Sequence, residues 1–338
     1  MNRNALVTGG TGFLGRRLAL RLRDEGWNVT ALGRQPAIGE ELRQQGIRFV
    51  RADLRDRERI NAACAGQQAV FHCGALSASW GPYNDFYDSN VLGTEHVIAG
   101  CLRHQVGRLI HVSTPSVYFG GSHRLGVRES DPLPRRQASP YAATKRLAEE
   151  AVARAVARAG AAGLETVIVR PRALFGPGDA SILPRLIEAN AVQGIPLIGG
   201  GKALIDLTYV DNAVDALLLC QAAPAASVTG RVYNITNGEP MPFDEAVSKL
   251  LGKLGIPVRF KRLPYAAAYG VAALMELSAR LLPGRGEPML TRAVAGMIGR
   301  SQTLDISAAR RELGYSPKIC VDEGMEAFAQ WWRSKHDL

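Results

Sequence analysis

The chain is poor in the features that would commit it to several classes of function. Its five cysteines, Cys64, Cys73, Cys101, Cys220 and Cys320, are widely spaced, odd in number and form no C-x-x-C. That argues against a disulfide framework or a structural zinc, and for unpaired buried thiols in a reducing compartment. The six histidines also lack metal-ligand spacing, so no metal site is expected. No apolar run is long enough to span a bilayer, no signal-peptide pattern opens the chain, and no repeat or low-complexity tract interrupts it. A cytoplasmic location is the expectation. The formal net charge is +10, yet the basic residues are scattered, with no zinc-finger, RNA-binding or polybasic pattern. A basic field that draws in anionic small molecules is expected, and a nucleic-acid partner is not.

What is present starts at Leu6-Val7-Thr8-Gly9-Gly10-Thr11-Gly12-Phe13-Leu14-Gly15. A buried strand runs into glycines at three-residue intervals, and helical apolar spacing follows from Phe13. Strand, glycine turn and helix in that order suit a dinucleotide pyrophosphate, because glycines let the backbone approach the phosphates and the helix N-terminus presents free N–H groups. Further strands are read at Val29–Leu32, Ile47–Val50, Val70–Ala75, Leu109–Val112 and Val167–Arg170, with helices between them. Strands alternating with helices predict an α/β fold, a doubly wound parallel sheet (Rossmann fold) with its ligand crevice at the strands' C-terminal ends. After Pro171 the pattern changes. Residues 1–172, rejoined by 203–235, are expected to form the nucleotide domain, and 173–202 with 236–338 a smaller, mostly helical substrate domain.

One absence is specific. The second strand ends in Gly33-Arg34, with no acid to hold a ribose 2′-hydroxyl, so Arg34 favours NADP(H) over NAD(H). Asp53 stands where it could accept from the adenine amino group or cap the following helix. Gly74 and Ala75 leave room for a cofactor. Residues 119–140 read as a surface loop over the site. Pro264–Leu282 reads as a core helix, the alternatives being an apolar lid, a tunnel wall or a peripheral membrane contact.

Tyr141 and Lys145 stand at i and i+4, hence on one helix face, where an ammonium can lower a phenol's pKa and make it a usable acid or base. With the glycine stretch, Asp53-Leu54, Asn90-Val91-Leu92-Gly93-Thr94, Val112-Ser113-Thr114, Arg170-Pro171-Arg172 and Leu313-Gly314-Tyr315-Ser316-Pro317, this set resembles the extended short-chain dehydrogenase/reductases. Within them it is most similar to the 3β-hydroxysteroid dehydrogenase-like branch, including the bacterial 2-alkyl-3-oxoalkanoate reductases. Ser79-Trp80-Gly81-Pro82-Tyr83, Gly176-Pro177-Gly178-Asp179 and Asn237-Gly238-Glu239-Pro240 carry that closer likeness.

The resemblance implies Tyr141 as proton donor and acceptor, Lys145 as ribose ligand and Thr114 as the hydroxyl on the substrate oxygen, with Ser113 and Ser116 as alternatives. It implies Asn90 as a buttress. It puts the cofactor against Gly9, Thr11, Gly12, Phe13, Leu14, Gly15, Arg34, Asp53, Leu54, Gly74, Ala75, Tyr141, Lys145 and Pro171. The implied reaction interconverts a ketone and a secondary alcohol on an apolar substrate, such as a 2-alkyl-3-oxoalkanoate or a 3β-hydroxysteroid. A substrate carboxylate would find Arg172, Arg185 or Lys202. A homodimer is usual for the family. A sugar-nucleotide epimerase or dehydratase and a non-catalytic nucleotide sensor are the competing readings.

Overall fold

The computed structural model describes residues 3–159, 163–281 and 287–336. Its main sheet follows from period-two apolar alternation. In β1 (Asn4–Thr8) Ala5 and Val7 enter one core and Leu6 the other. Phe71 and Val70, or Val169 and Ile168, divide in the same way. Strands apolar on both faces need cover on both faces, which is how a parallel sheet is buried. β2 (Asn28–Gly33), β3 (Arg48–Arg51), β4 (Ala69–His72), β5 (Arg108–Val112), β6 (Glu165–Pro171) and β7 (Arg231–Ile235) complete the sheet, in the order β7-β6-β5-β4-β1-β2-β3. Every pairing in it is parallel.

Helices cover both faces. α1 (Phe13–Asp24) buries Leu14, Leu18 and Leu22 on one side, against Val214 and Leu217 of the helix Val210–Ala222. Each such leucine is worth about 1.5–3 kcal/mol of burial. On the other face Ile60, Val97 and Ile98 pack with Val152 of α2 (Pro140–Ala159). The strand order reverses beside β1, whose neighbours are β2 and β4. That reversal opens the crevice in which ligands of such sheets bind.

Four elements differ from the sequence reading, which expects Leu207–Val210 to return to the main sheet. Leu207–Val210 does not rejoin the main sheet: Thr208–Tyr209 pairs with Leu174–Phe175. Arg231–Ile235 takes the sheet edge beside β6 instead, although its exposed Arg231 and its polar Asn234 give a weak apolar signal. Residues 119–140 are not all loop, since Arg124–Val127 pairs with Gln302–Leu304. The stretch from Pro264, read as a core helix, forms α3 (Tyr265–Leu281), which buries only Ala268, Ala272 and Glu276. Leu274 and Leu281 are 68% and 70% exposed, and Leu282 lies outside the described residues. The small residues line the side that packs, so the large apolar ones face outward. Among the described residues no helix is long and apolar enough to cross a membrane.

A second set of helices closes the crevice. α4 (Phe243–Lys253) and α5 (Arg292–Gly299) turn Phe243, Val247, Leu250, Val294 and Met297 toward it. Glu276 of α3 accepts from Arg292 N (2.7 Å) and Nε (2.8 Å), which fixes where α5 begins.

The tightest backbone approach lies at the strand reversal. Gly9 has φ 67°, and a Cβ built on it would sit 2.7 Å from the Cα of Gly74. Gly9→Ala combines left-handed strain with a backbone clash, and should cost about 2 kcal/mol or more in urea unfolding. A variant of unchanged stability would show that the two strands part freely.

Candidate active site

The nucleotide end of the cleft is built from backbone. Gly12 caps α1 without any side-chain hydrogen bond, and the first turn of α1 carries no acid. Gly12 N donates to Gly9 O at 2.8 Å, and a Cβ on Gly15 would collide with the same carbonyl. The result is a helix N-terminus whose N–H groups are clear of side chains and face a cleft, which fits a pyrophosphate. At the end of β2 the Arg34 guanidinium is 66% exposed and stands 3.7 Å from Asp53 Oδ2. Asp53 also accepts from Arg55 N (3.0 Å) and Nε (2.9 Å), and this partner holds its carboxyl below the usual value. Asp53 does not cap the next helix: Asp56 does, accepting from Arg59 N at 3.1 Å.

The acid–base end is built from α2 and the strand end of β5. Lys145 is 2% exposed, and its Nζ donates to Val112 O at 2.7 Å and lies 3.2 Å from His111 Nε2. Burial brings its pKa down to about 8, against the opposing charge of Glu149. Beneath it His111 and His72 are held neutral. Burial and then Lys145 push both down, His72 to about 3. His72 bridges Thr8 Oγ1 (2.7 Å) and Thr94 Oγ1 (3.0 Å), which locks the ring under the site.

Tyr141 departs from expectation. Burial raises the phenol above its ordinary value, and only the Thr114 hydroxyl opposes the shift. Lys145 does not depress it, because its ammonium is turned to the carbonyl of Val112. In the protein chain alone the phenol is therefore the stable form, the form a proton donor needs.

Thr114 caps a single turn, Pro115–Tyr118, accepting from Ser116 N (3.2 Å) and donating to Ser116 Oγ (3.1 Å). Among the described residues Ser113 Oγ, which is buried, has no hydrogen-bond partner. Asn90 lies in a π-helical turn, Tyr87–Leu92, and has a bracing role: its amide donates to Thr144 Oγ1 (3.0 Å) and Leu76 O (3.1 Å) and accepts from Leu76 N (2.7 Å).

A buried ion pair fastens these parts together. Arg170 of β6 donates to Glu149 of α2 through Nε (2.8 Å) and Nη2 (2.5 Å), with both side chains at most 8% exposed. The same guanidinium lies 4.7 Å over the Tyr118 ring and donates to its hydroxyl. Tyr118 in turn donates to Asn234 Oδ1 of β7 at 2.9 Å. Glu149 is one turn beyond Lys145, a spacing from which this partner could have been suspected.

One cleft of about 700 Å³ is lined by every residue expected to meet cofactor or reacting atoms, from Gly9 and Arg34 to Thr114, Tyr141, Lys145 and Pro171. Arg172 and Arg185 line it as well. Lys202 does not, and pairs with Asp244 at 2.7 Å. The apolar wall of α4 and α5 and the polar residue Asp206 were not anticipated, since they reach the cleft from far along the chain.

Residues 5–236 match the NAD dependent epimerase/dehydratase family. The chain belongs to that family. Among its relatives is a 2-alkyl-3-oxoalkanoate reductase of Stenotrophomonas maltophilia, 40% identical over 95% of this chain and 96% of the relative. A 3beta-hydroxysteroid-dehydrogenase/decarboxylase (isoform 1) of Arabidopsis thaliana is 35% identical over 95% and 77%. The structure of MoeE5 in complex with UDP-glucuronic acid and NAD superposes with a TM-score of 0.76, at 28% identity, covering 98% of this chain and 99% of the other. Family membership and fold thus agree with the extended short-chain dehydrogenase/reductase resemblance.

Removing one partner of a buried pair leaves the other charge uncompensated. Glu149→Gln should cost about 3–5 kcal/mol in urea unfolding, and Arg170→Met added to it should restore part of the loss. Additive losses in that double-mutant cycle would mean the two groups are not coupled.

Proposed function

We propose that the chain is an oxidoreductase that interconverts a ketone and a secondary alcohol on an apolar substrate, with NADP(H) preferred over NAD(H). One observation carries the reading: Thr114, Tyr141 and Lys145 line the same cleft as the apolar side chains of Phe243, Val247, Leu250, Val294 and Met297. The names of the relatives from Stenotrophomonas and Arabidopsis support an oxo acid or a hydroxysteroid as the substrate class. A sugar-nucleotide substrate would need polar partners for its sugar hydroxyls along this wall, which supplies methyl, methylene and aromatic groups.

The nicotinamide, when bound, supplies or accepts the hydride. The glycine turn and the open N-terminus of α1 hold the pyrophosphate, and Lys145 is the ligand for the nicotinamide ribose. Thr114 donates to the carbonyl oxygen and keeps it beside the phenol. Tyr141 gives that oxygen a proton in reduction and removes one from the alcohol in oxidation. The apolar wall excludes water from the reacting face.

Tyr141→Phe should lower ketone reduction by about a thousand-fold while leaving the cofactor dissociation constant unchanged. Because burial favours the protonated phenol, reduction by the parent enzyme should hold level through neutral pH and fall only in alkali. Alcohol oxidation, which starts from the phenolate, should rise over the same alkaline range. Opposite trends would take Tyr141 out of the proton-transfer role.

Arg34 is 66% exposed, and Asp53, 3.7 Å away, is already held by Arg55, so the guanidinium is open to a 2′-phosphate. Arg34→Ala should raise the Kd for NADPH about 10- to 100-fold, as expected for a lost charge-assisted hydrogen bond, with NADH little changed. Equal weakening of both, measured by fluorescence titration, would withdraw the NADP(H) preference.

A further inference from the structure

Arg172 is a cation in the cleft wall that has been taken out of water without a carboxylate. It follows Pro171 at the end of β6, is 6% exposed and lines the cleft. Its Nη1 donates to Gln302 Oε1, the one side-chain hydrogen bond it makes among the described residues. Its Nε is buried with no partner. No carboxylate oxygen among the described residues comes within 4.0 Å of the guanidinium. Asp206, whose charge favours the protonated Arg172, accepts from Leu304 N at 2.7 Å. Burial moves the two groups in opposite directions, Arg172 down to about 10 and Asp206 up to about 6, so the arginine stays charged at neutral pH.

A buried guanidinium whose Nε–H has no partner among the described residues is costly unless a ligand completes it. The other two basic candidates are differently placed. Lys202 is 75% exposed, outside the cleft, and bound to Asp244. Arg185 is 62% exposed and faces Glu287 at 3.5 Å. Gln302, which orients Arg172, donates from Nε2 to Pro115 O at 3.5 Å, and Pro115 is the residue after Thr114. The free donors of Arg172 are thus tied to the turn that presents the reacting hydroxyl.

We propose that Arg172 receives the carboxylate of the substrate, which makes the substrate a 3-oxo or 3-hydroxy acid whose remaining chains lie along the apolar wall. The inference rests on the reductase reading above and narrows it: the acid group is held on the catalytic side, and the alkyl groups point toward α4 and α5. A bidentate arginine–carboxylate contact fixes both distance and orientation of the reacting carbon.

The test uses a 2-alkyl-3-hydroxyalkanoic acid and its methyl ester, of matched chain length, with the full-length enzyme and NADP⁺. The enzyme with Arg172 should prefer acid over ester by about 100-fold in kcat/KM. Arg172→Gln should erase that preference while keeping its affinity for NADP⁺, and Arg172→Lys should retain part of it. Calorimetric binding of acid and ester to Tyr141→Phe, with and without Arg172→Gln, reads the same contact with no turnover. Acid and ester bound equally well by Tyr141→Phe, or acid binding that survives Arg172→Gln, would overturn the proposal. If Arg172→Gln fails to fold, the acid–ester comparison with Arg172 present and the Arg172→Lys variant still decide it. Acid bound through Arg172 but not oxidised would leave the carboxylate contact standing and remove the reductase reading instead.

Discussion

The pair between Arg170 and Glu149 sets where everything else in the cleft can stand. Glu149 belongs to the helix that carries Tyr141 and Lys145, and Arg170 to the strand that ends in Pro171 and Arg172. The same guanidinium grips the Tyr118 hydroxyl, which closes the turn started by Thr114. Through Tyr118 and Asn234 the lattice reaches β7, and Asn234 Nδ2 donates onward to Val127 O at 3.0 Å. Burying two charges costs desolvation, and hydrophobic residues of equal volume could pack as well. What the pair adds is direction: a two-pronged contact allows one spacing and one rotation between helix and strand.

Electrostatics within that frame set the protonation of the groups around Lys145 and Tyr141. Two histidines lie directly below Lys145, and a charge on either would repel the ammonium. Burial removes that conflict by holding both neutral. Lys145 keeps a carbonyl partner in Val112, and the charge of Glu149 one turn away supports its protonated form. Tyr141, with the Thr114 hydroxyl beside it, is left as the phenol. In the protein chain alone Tyr141 is thereby held in its protonated form.

Much of the nucleotide half was legible because its signals are local. Gly9, Gly12 and Gly15 act within a few residues of one another, and Tyr141 and Lys145 share a helix face by spacing alone. Asn90 acts as a buttress through its bonds to Leu76 and Thr144. The apolar wall was not legible. Phe243, Val247, Val294 and Met297 read as ordinary amphipathic residues, and only the packing of α4 and α5 turns them to the crevice. In α3 the solvent side is not legible for a related reason: its alanines and leucines carry no continuous polar face to mark it. The effect of Lys145 on Tyr141 was misjudged because sequence spacing places two side chains on one face without saying where the ammonium points.

The sequence by itself determined the first six strands of the main sheet with the helices between them, the glycine-rich turn after β1, the Tyr141–Lys145 pair, and Arg34 in place of an acid. All of these depend on backbone periodicity or on contacts within about one helical turn. Tertiary structure alone decided that Arg172, rather than Arg185 or Lys202, is the buried cation without a carboxylate. It also decided that Glu149 is the brace and that α4 and α5 form the wall. Burial and partnership are properties of groups brought together from distant parts of the chain, and they set the cost of each charge. Gln302 and Arg172 are 130 residues apart and share one hydrogen bond.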